Sequence, residues 1–168
     1  MREKAVQLNK KIFKSLSLIL VCFFLDRWSK IYIINFFVKN DVNDFYVNSY
    51  VNLVLIWNKG IAFGLLQSEN FFYHFISFVI IFIIFFLCYL IIKTKKQTEV
   101  ICFSIIAGGA IGNLFDRIYY NSVPDFIDLH YKSFHWFTFN VSDICISFGI
   151  MLLLIFDIIK FNKKQNDD

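Results

Sequence analysis

From Phe71 to Ile92 the sequence reads FFYHFISFVIIFIIFFLCYLII, without one Asp, Glu, Lys or Arg. About 20 apolar residues are what a helix needs to cross a bilayer, so this stretch reads as a membrane span with His74 near its interfacial end. One such span sets the frame for the rest of the chain. The remaining composition agrees: 58% hydrophobic residues, mean hydropathy +0.59, 23 phenylalanines and a single proline suit long apolar helices and exclude an ordinary soluble domain. The length of 168 residues predicts a single membrane domain, 1–168.

Three further apolar stretches predict helices over about 15–36, 98–117 and 142–160, giving an all-α polytopic membrane protein with four transmembrane helices. The basic front MREKAVQLNKKIFK resembles that of a signal peptide, but no small-residue cleavage site follows, and the apolar run continues through DRWSK to Val38. Asp26 and Lys30 stand four apart and so share a helix face. They could form an ion pair inside the bundle or support a site, and spacing leaves both open. The small residues of ICFSIIAGGAIG let a neighbouring backbone come close. Residues 37–70 break the hydropathy, and YVNSYVNLVLIW favours strands, predicting a β-rich loop there. The NKGIAFGLL that follows suggests a turn into a short interfacial piece. Such a platform could receive a peptide by strand addition.

Charge gives an orientation. Arg2, Lys4, Lys10, Lys11 and Lys14 precede the first span, Lys93, Lys95 and Lys96 link the second to the third, and Lys160, Lys163 and Lys164 follow the fourth. The positive-inside rule puts both termini in the cytoplasm and the 37–70 and 118–141 segments outside. The net charge of +4 is therefore a topology signal rather than a sign of nucleic-acid binding. Cys22, Cys88, Cys102 and Cys145 all lie in apolar runs and read as small apolar side chains, not as a zinc set or a disulfide framework.

The chemistry concentrates between Gly108 and Asp143, a stretch that collects Asn113, Asp116, Arg117, Asp125, Asp128, Asn140 and Asp143 at the mouths of two spans. Ionisable groups so close to hydrocarbon are costly and call for a use. Two carboxylates that share a site cannot both ionise cheaply, and a pair holding one proton suits peptide hydrolysis. No serine or cysteine has an evident base, and no histidine pair has metal-ligand spacing. Asp143 begins the last span with Asn140 as its cap, Asp125 follows Pro124, and Asp116 precedes Arg117. Spacing allows a pair of Asp143 with Asp116, Asp125 or Asp128, and equally a helix start, a turn aspartate and a structural acid.

Five pieces together carry a resemblance: DRWSK, NKGIAFGLL, GGAIGNLFDRI, VPDFIDLH and FNVSDICISFG, in this order along nearly the whole chain. The chain resembles the bacterial lipoprotein signal peptidases (signal peptidase II). The resemblance implies an aspartyl endopeptidase of the inner membrane that cuts prolipoproteins just before a diacylglyceryl-modified cysteine, at the outer face. It implies Asp125 and Asp143 as the catalytic pair, with Asp26, Lys30, Asn58, Gly60, Asn113, Asp116, Arg117 and Asn140 in substrate-binding or supporting positions. It also implies a small extracytoplasmic β-cradle from the 37–70 loop, membrane lipid as a partner, no cofactor or metal, and a monomer. Ser142 stands where the family usually has alanine and Pro124 where it usually has an aliphatic residue; neither change removes an acid.

Two other classes compete. A small proton-coupled transporter would place its acids near the bilayer midplane, often within internal repeats, and this chain has no repeat. A non-enzymatic membrane assembly factor would need no dyad. A presenilin-like protease would carry a helix-borne GxGD pattern, which is absent from the sequence.

Overall fold

The computed structural model describes residues 2–42, 44–60 and 71–167. Its elements run α1 (Arg2–Asn40), β1 (Asp44–Asn48), β2 (Val51–Asn58), α2 (Phe71–Lys93), α3 (Gln97–Tyr120), β3 (Val123–Tyr131), β4 (Phe134–Phe139) and α4 (Val141–Asp167). The molecule is thus mostly helical with a small antiparallel sheet. Among the described residues three segments are long and apolar enough to cross a membrane: Tyr73–Lys93, Gln97–Tyr120 and Val141–Lys163. The long α1 carries Asp26, Arg27 and Lys30 inside its apolar stretch. Phe78, Phe82 and Phe85 on α2 are about two-thirds exposed, the arrangement of an outer face that lipid would cover.

Helix α3 is the axis of the bundle and packs against the other three. Its small residues permit this. A Cβ added at Gly109 would lie 2.5 Å from the Ser142 carbonyl oxygen, and one at Gly112 would lie 2.3 Å from the Ser142 hydroxyl, so α4 crosses α3 almost at backbone contact. Ala107, fully buried, packs with Leu87 and Ile106 against Ile19, Phe103, Ile146 and Leu153. Ser15 on α1 and Ser104 on α3 share a hydrogen bond of 2.6 Å, which keeps two buried hydroxyls satisfied.

The sheet has the order β1-β2-β3-β4, every pair antiparallel. Its inner side buries Phe126 against Ile33 and Phe37 of α1, with Leu53, Leu55 and Ile127 around them. The strands expected between 37 and 70 are there as β1 and β2, but half of the sheet comes from β3 and β4, in the 118–141 segment for which no strands were expected. The first helix also runs beyond the expected 15–36 at both ends. Most of NKGIAFGLL, from Ile61 onward, lies outside the described residues. Helix α3 ends at Asn121, whose φ of 53° is the left-handed cap conformation that asparagine tolerates. The chain then turns directly into β3, so Asp125 is held on a strand at the mouth of the bundle.

Candidate active site

Asn140 sits at the centre. It precedes the first turn of α4, and its Oδ1 accepts the Asp143 N–H at 3.2 Å while the Asp143 carboxylate accepts the Asn140 N–H at 3.2 Å. This is a reciprocal capping box with aspartate in the third helical position. The remaining amide donor of Asn140, Nδ2, reaches Asp125 Oδ1 at 2.6 Å. One side chain therefore joins the carboxyl of strand β3 to that of helix α4.

Each carboxyl has a second amide partner. Asn58, at the end of β2, donates to Asp125 Oδ2 at 2.9 Å, and its own Oδ1 accepts the Gly60 N–H at 2.8 Å. Asn113, on α3, donates to Asp143 Oδ1 at 2.8 Å. The other end of Asn113 accepts from Lys30 Nζ at 3.0 Å, which fixes the amide's orientation. Burial is the main influence on Asp125 and raises its pKa to about 6. The neighbouring Asp143 charge pushes the same way, while the bonds from Asn58 and Asn140 oppose it.

Lys30 connects this pair to a buried charge cluster. Its ammonium lies 2.9 Å from Asp26 and 2.6 Å from Asp116, and Arg27 lies 3.1 Å from Asp26 and 2.5 Å from Asp116. Two cations thus face two anions, all four buried, so the group is neutral as a whole. Asp26 also accepts the Ser142 N–H at 2.9 Å, placing negative charge on the first turn of α4. Arg117 binds the Gly60 carbonyl through Nη2 and lies over the Tyr73 ring, 5.3 Å from its centroid, and the Tyr73 hydroxyl donates back to the Arg117 carbonyl.

All ten residues expected from the sequence belong to one connected network, from Gly60 through Asn58, Asp125, Asn140, Asp143 and Asn113 to Lys30, Asp26 and Asp116, with Arg117 closing on Gly60. Asp128 stands apart and bonds His135 instead. Arg27, Tyr73 and the Ser142 amide take part without having been picked out as supports. Arg27 shares the DRWSK motif and could have been found by asking what pairs with Asp116. The Tyr73 and Ser142 contacts leave no trace in spacing.

A cavity of about 860 Å³ opens beside the pair, between α2, α3 and α4. Phe75, Ile76 and Ile146 give it apolar walls, and Asn113, Arg117 and Asp143 form its polar end. Two buried N–H groups of Arg117, Nε and Nη1, have no hydrogen-bond partner among the described residues. Buried donors of that kind are costly unless something else satisfies them.

Comparison with known proteins adds an independent line. The model of the signal peptidase (SPase) II family matches residues 18–159. A lipoprotein signal peptidase of Pelagibacter ubique is 43% identical over 159 residues, 94% of this chain and 95% of that protein. One from Anaplasma phagocytophilum is 42% identical over 139 residues, covering 81% of this chain and 86% of the other. In fold, the chain is similar to a bacterial membrane enzyme solved by the in meso method at 2.3 Å resolution, with a TM-score of 0.75, 24% identity, and coverage of 91% of this chain and 92% of that one. With three apolar helices and this likeness it is a multi-pass membrane protein. The breadth and level of these matches decide the family: this chain belongs to the signal peptidase II family, and is a peptidase.

Proposed function

We propose that this protein is an aspartyl endopeptidase that removes signal peptides from diacylglyceryl-modified prolipoproteins, with Asp125 and Asp143 as its catalytic pair. The observation that carries this reading is the pair itself: two carboxyls tied through Asn140, Asp125 with a pKa raised to about 6 and Asp143 at the polar end of an apolar cavity. The relatives named lipoprotein signal peptidases supply the substrate class.

The chemistry follows from one proton shared by two acids. The ionised carboxylate takes a proton from a water molecule as the water oxygen attacks the scissile carbonyl carbon. The protonated carboxyl gives its proton to the carbonyl oxygen, so a neutral tetrahedral diol forms without free charge near hydrocarbon. Collapse of the diol breaks the C–N bond; one hydroxyl proton returns to a carboxylate, and the proton taken from water passes to the leaving nitrogen. The dyad is left with one proton, as it began. Asn58, Asn113 and Asn140 orient the acids, and the open donors of Arg117 suit carbonyls of an extended peptide in the cavity mouth.

The apolar walls suit the hydrophobic helix of a signal peptide, and a lipidated cysteine would hold the cleavage point at interface depth. On this reading α1 is a fourth span, because its charges are buried and neutralised inside the bundle rather than facing lipid. Residues 1–168 then form one membrane domain and act as a monomer in the bacterial inner membrane. Both termini are cytoplasmic and the sheet is a cradle on the outer surface.

The test is a gel-shift cleavage assay with purified protein and a diacylglyceryl-modified prolipoprotein. Asp125→Asn and Asp143→Asn should each lower cleavage by at least about 10³-fold while membrane insertion is unchanged. Retained cleavage in either variant would overturn the dyad.

A further inference from the structure

The hairpin β3–β4 carries a second group of ligating side chains that peptide hydrolysis does not use. Asp128 and His130 stand two apart on β3 and so project from one face of the strand, and His135 is the cross-strand partner of His130. A register shift between Leu129 and His130 sets that pairing. In the sequence the two histidines look unrelated, which is why their spacing suggests no ligand pair. In the fold their rings stack with centroids 5.3 Å apart.

We propose that Asp128, His130 and His135 form an extracytoplasmic binding site for a divalent transition-metal ion, with zinc the best chemical match. One ligand atom from each of the three residues lies within 4.8 Å of the other two. A tetrahedral zinc with bonds of about 2.0–2.2 Å separates neighbouring ligand atoms by about 3.4 Å. The Asp128 Oδ2 to His130 Nδ1 distance is 3.7 Å and the Asp128 Oδ2 to His135 Nδ1 distance is 2.7 Å. The two gaps bracket that separation, so an ion would be seated by side-chain adjustments of less than about 1 Å at Asp128, with the His135 bond to Asp128 giving way to the metal.

Two observations point to a ligand rather than to a self-contained cluster. His130 is only 5% exposed, yet its Nδ1 is buried without a hydrogen-bond partner among the described residues. Asn52 is the cross-strand partner of Asp128 on β2, and its Oδ1 is also buried and, among the described residues, unpartnered. An ion beside Asp128 would use the first and stand next to the second. Imidazole with carboxylate suits zinc, and also copper or nickel, better than calcium or magnesium. His135 is exposed, which leaves a path for entry and an open position for water.

The position gives the site a consequence. β3 carries Asp125 three residues before Asp128, and β4 leads directly into Asn140. An ion bound across the hairpin would fasten together the two strands that deliver the dyad and its bridging amide.

The test uses the untagged full-length protein in detergent, stripped with a chelator, titrated with Zn²⁺ alone against a fluorescent zinc indicator. Wild type should bind one equivalent, and zinc should raise its unfolding temperature. His135→Ala and His130→Gln should each weaken binding by at least about tenfold, a loss no smaller than that seen for outer-shell ligands. His135 is exposed, so its removal should leave the fold intact; because it also takes away the 2.7 Å bond to buried Asp128, the zinc-induced rise in each variant is read against that variant's own metal-free unfolding temperature. No zinc uptake by folded wild type, or equal uptake by wild type and both variants, would overturn the site.

Discussion

Asn58 and Asn140 both donate to the Asp125 carboxylate, and a hydrogen bond to the charged form favours that form. Burial works in the opposite direction and prevails, leaving Asp125 at about 6. The sign of a substitution follows. Asn58→Leu removes a bond that lowers the pKa and keeps the burial that raises it, so the acid should hold its proton to higher pH. Since kcat/KM reports the free enzyme, its alkaline limb should move upward in Asn58→Leu relative to wild type, even as the overall rate falls. The limb belongs to the coupled pair and not to one residue. A limb that stays in place, or moves down, would show that Asn58 does not act on the dyad's proton. Neighbouring Ser142 offers a simpler case. Its hydroxyl is buried and has no partner among the described residues, so Ser142→Ala should raise stability by about 1 kcal/mol, read as an increase in unfolding temperature.

At the scale of elements, the contact of α3 with α4 decides how close Asn113 comes to Asp143. A methyl at Gly112 would lie 2.3 Å from the Ser142 hydroxyl and 2.7 Å from Asp26 Oδ2. The hydroxyl can rotate, but Asp26 is held by Lys30 and the Ser142 N–H. Gly112→Ala should therefore cost about 1–3 kcal/mol, and adding Ser142→Ala should recover only part of it, in thermal unfolding measured in one detergent. Full recovery would mean that the carboxylate is not the obstacle. The helices were legible in the sequence because hydropathy is a local signal that survives any packing. The lower-numbered end of α1 was not, since its lysines read as a membrane exit and helix continues past that point. β3 and β4 were missed for a different reason. Val123–Tyr131 carries two aspartates and a proline, which locally argue for turns, and its strand character comes from pairing with β2 more than sixty residues earlier in the chain. The ten candidate site residues were expected from family motifs; spacing alone offered three partners for Asp143. That Asn140 joins the two acids needed both β3 and the α4 cap.

At the scale of the molecule, charge separates the two ends. Lys11 on α1 donates to the Ile92 and Thr94 carbonyls at 2.7 and 3.0 Å, capping the last turn of α2. Lys96 pairs with Glu99, whose carboxylate also feels the charge of Lys160 on α4. The three basic clusters counted along the sequence thus meet at one end of the bundle, while the sheet and the carboxyl pair occupy the other. Dense Lys and Arg mark the cytoplasmic side of membrane proteins, so the sheet should face outward. Cysteine labelling in intact cells with the outer membrane opened tests this directly. Ser133→Cys, in the turn between β3 and β4, should react with a membrane-impermeant maleimide from outside. Asn9→Cys, on the exposed start of α1, should react only after the inner membrane is permeabilised. The native cysteines lie within the apolar helices and should contribute little background. The reverse pattern would put the pair on the cytoplasmic face, where a translocated prolipoprotein could not reach it, and would overturn the proposed substrate together with the orientation.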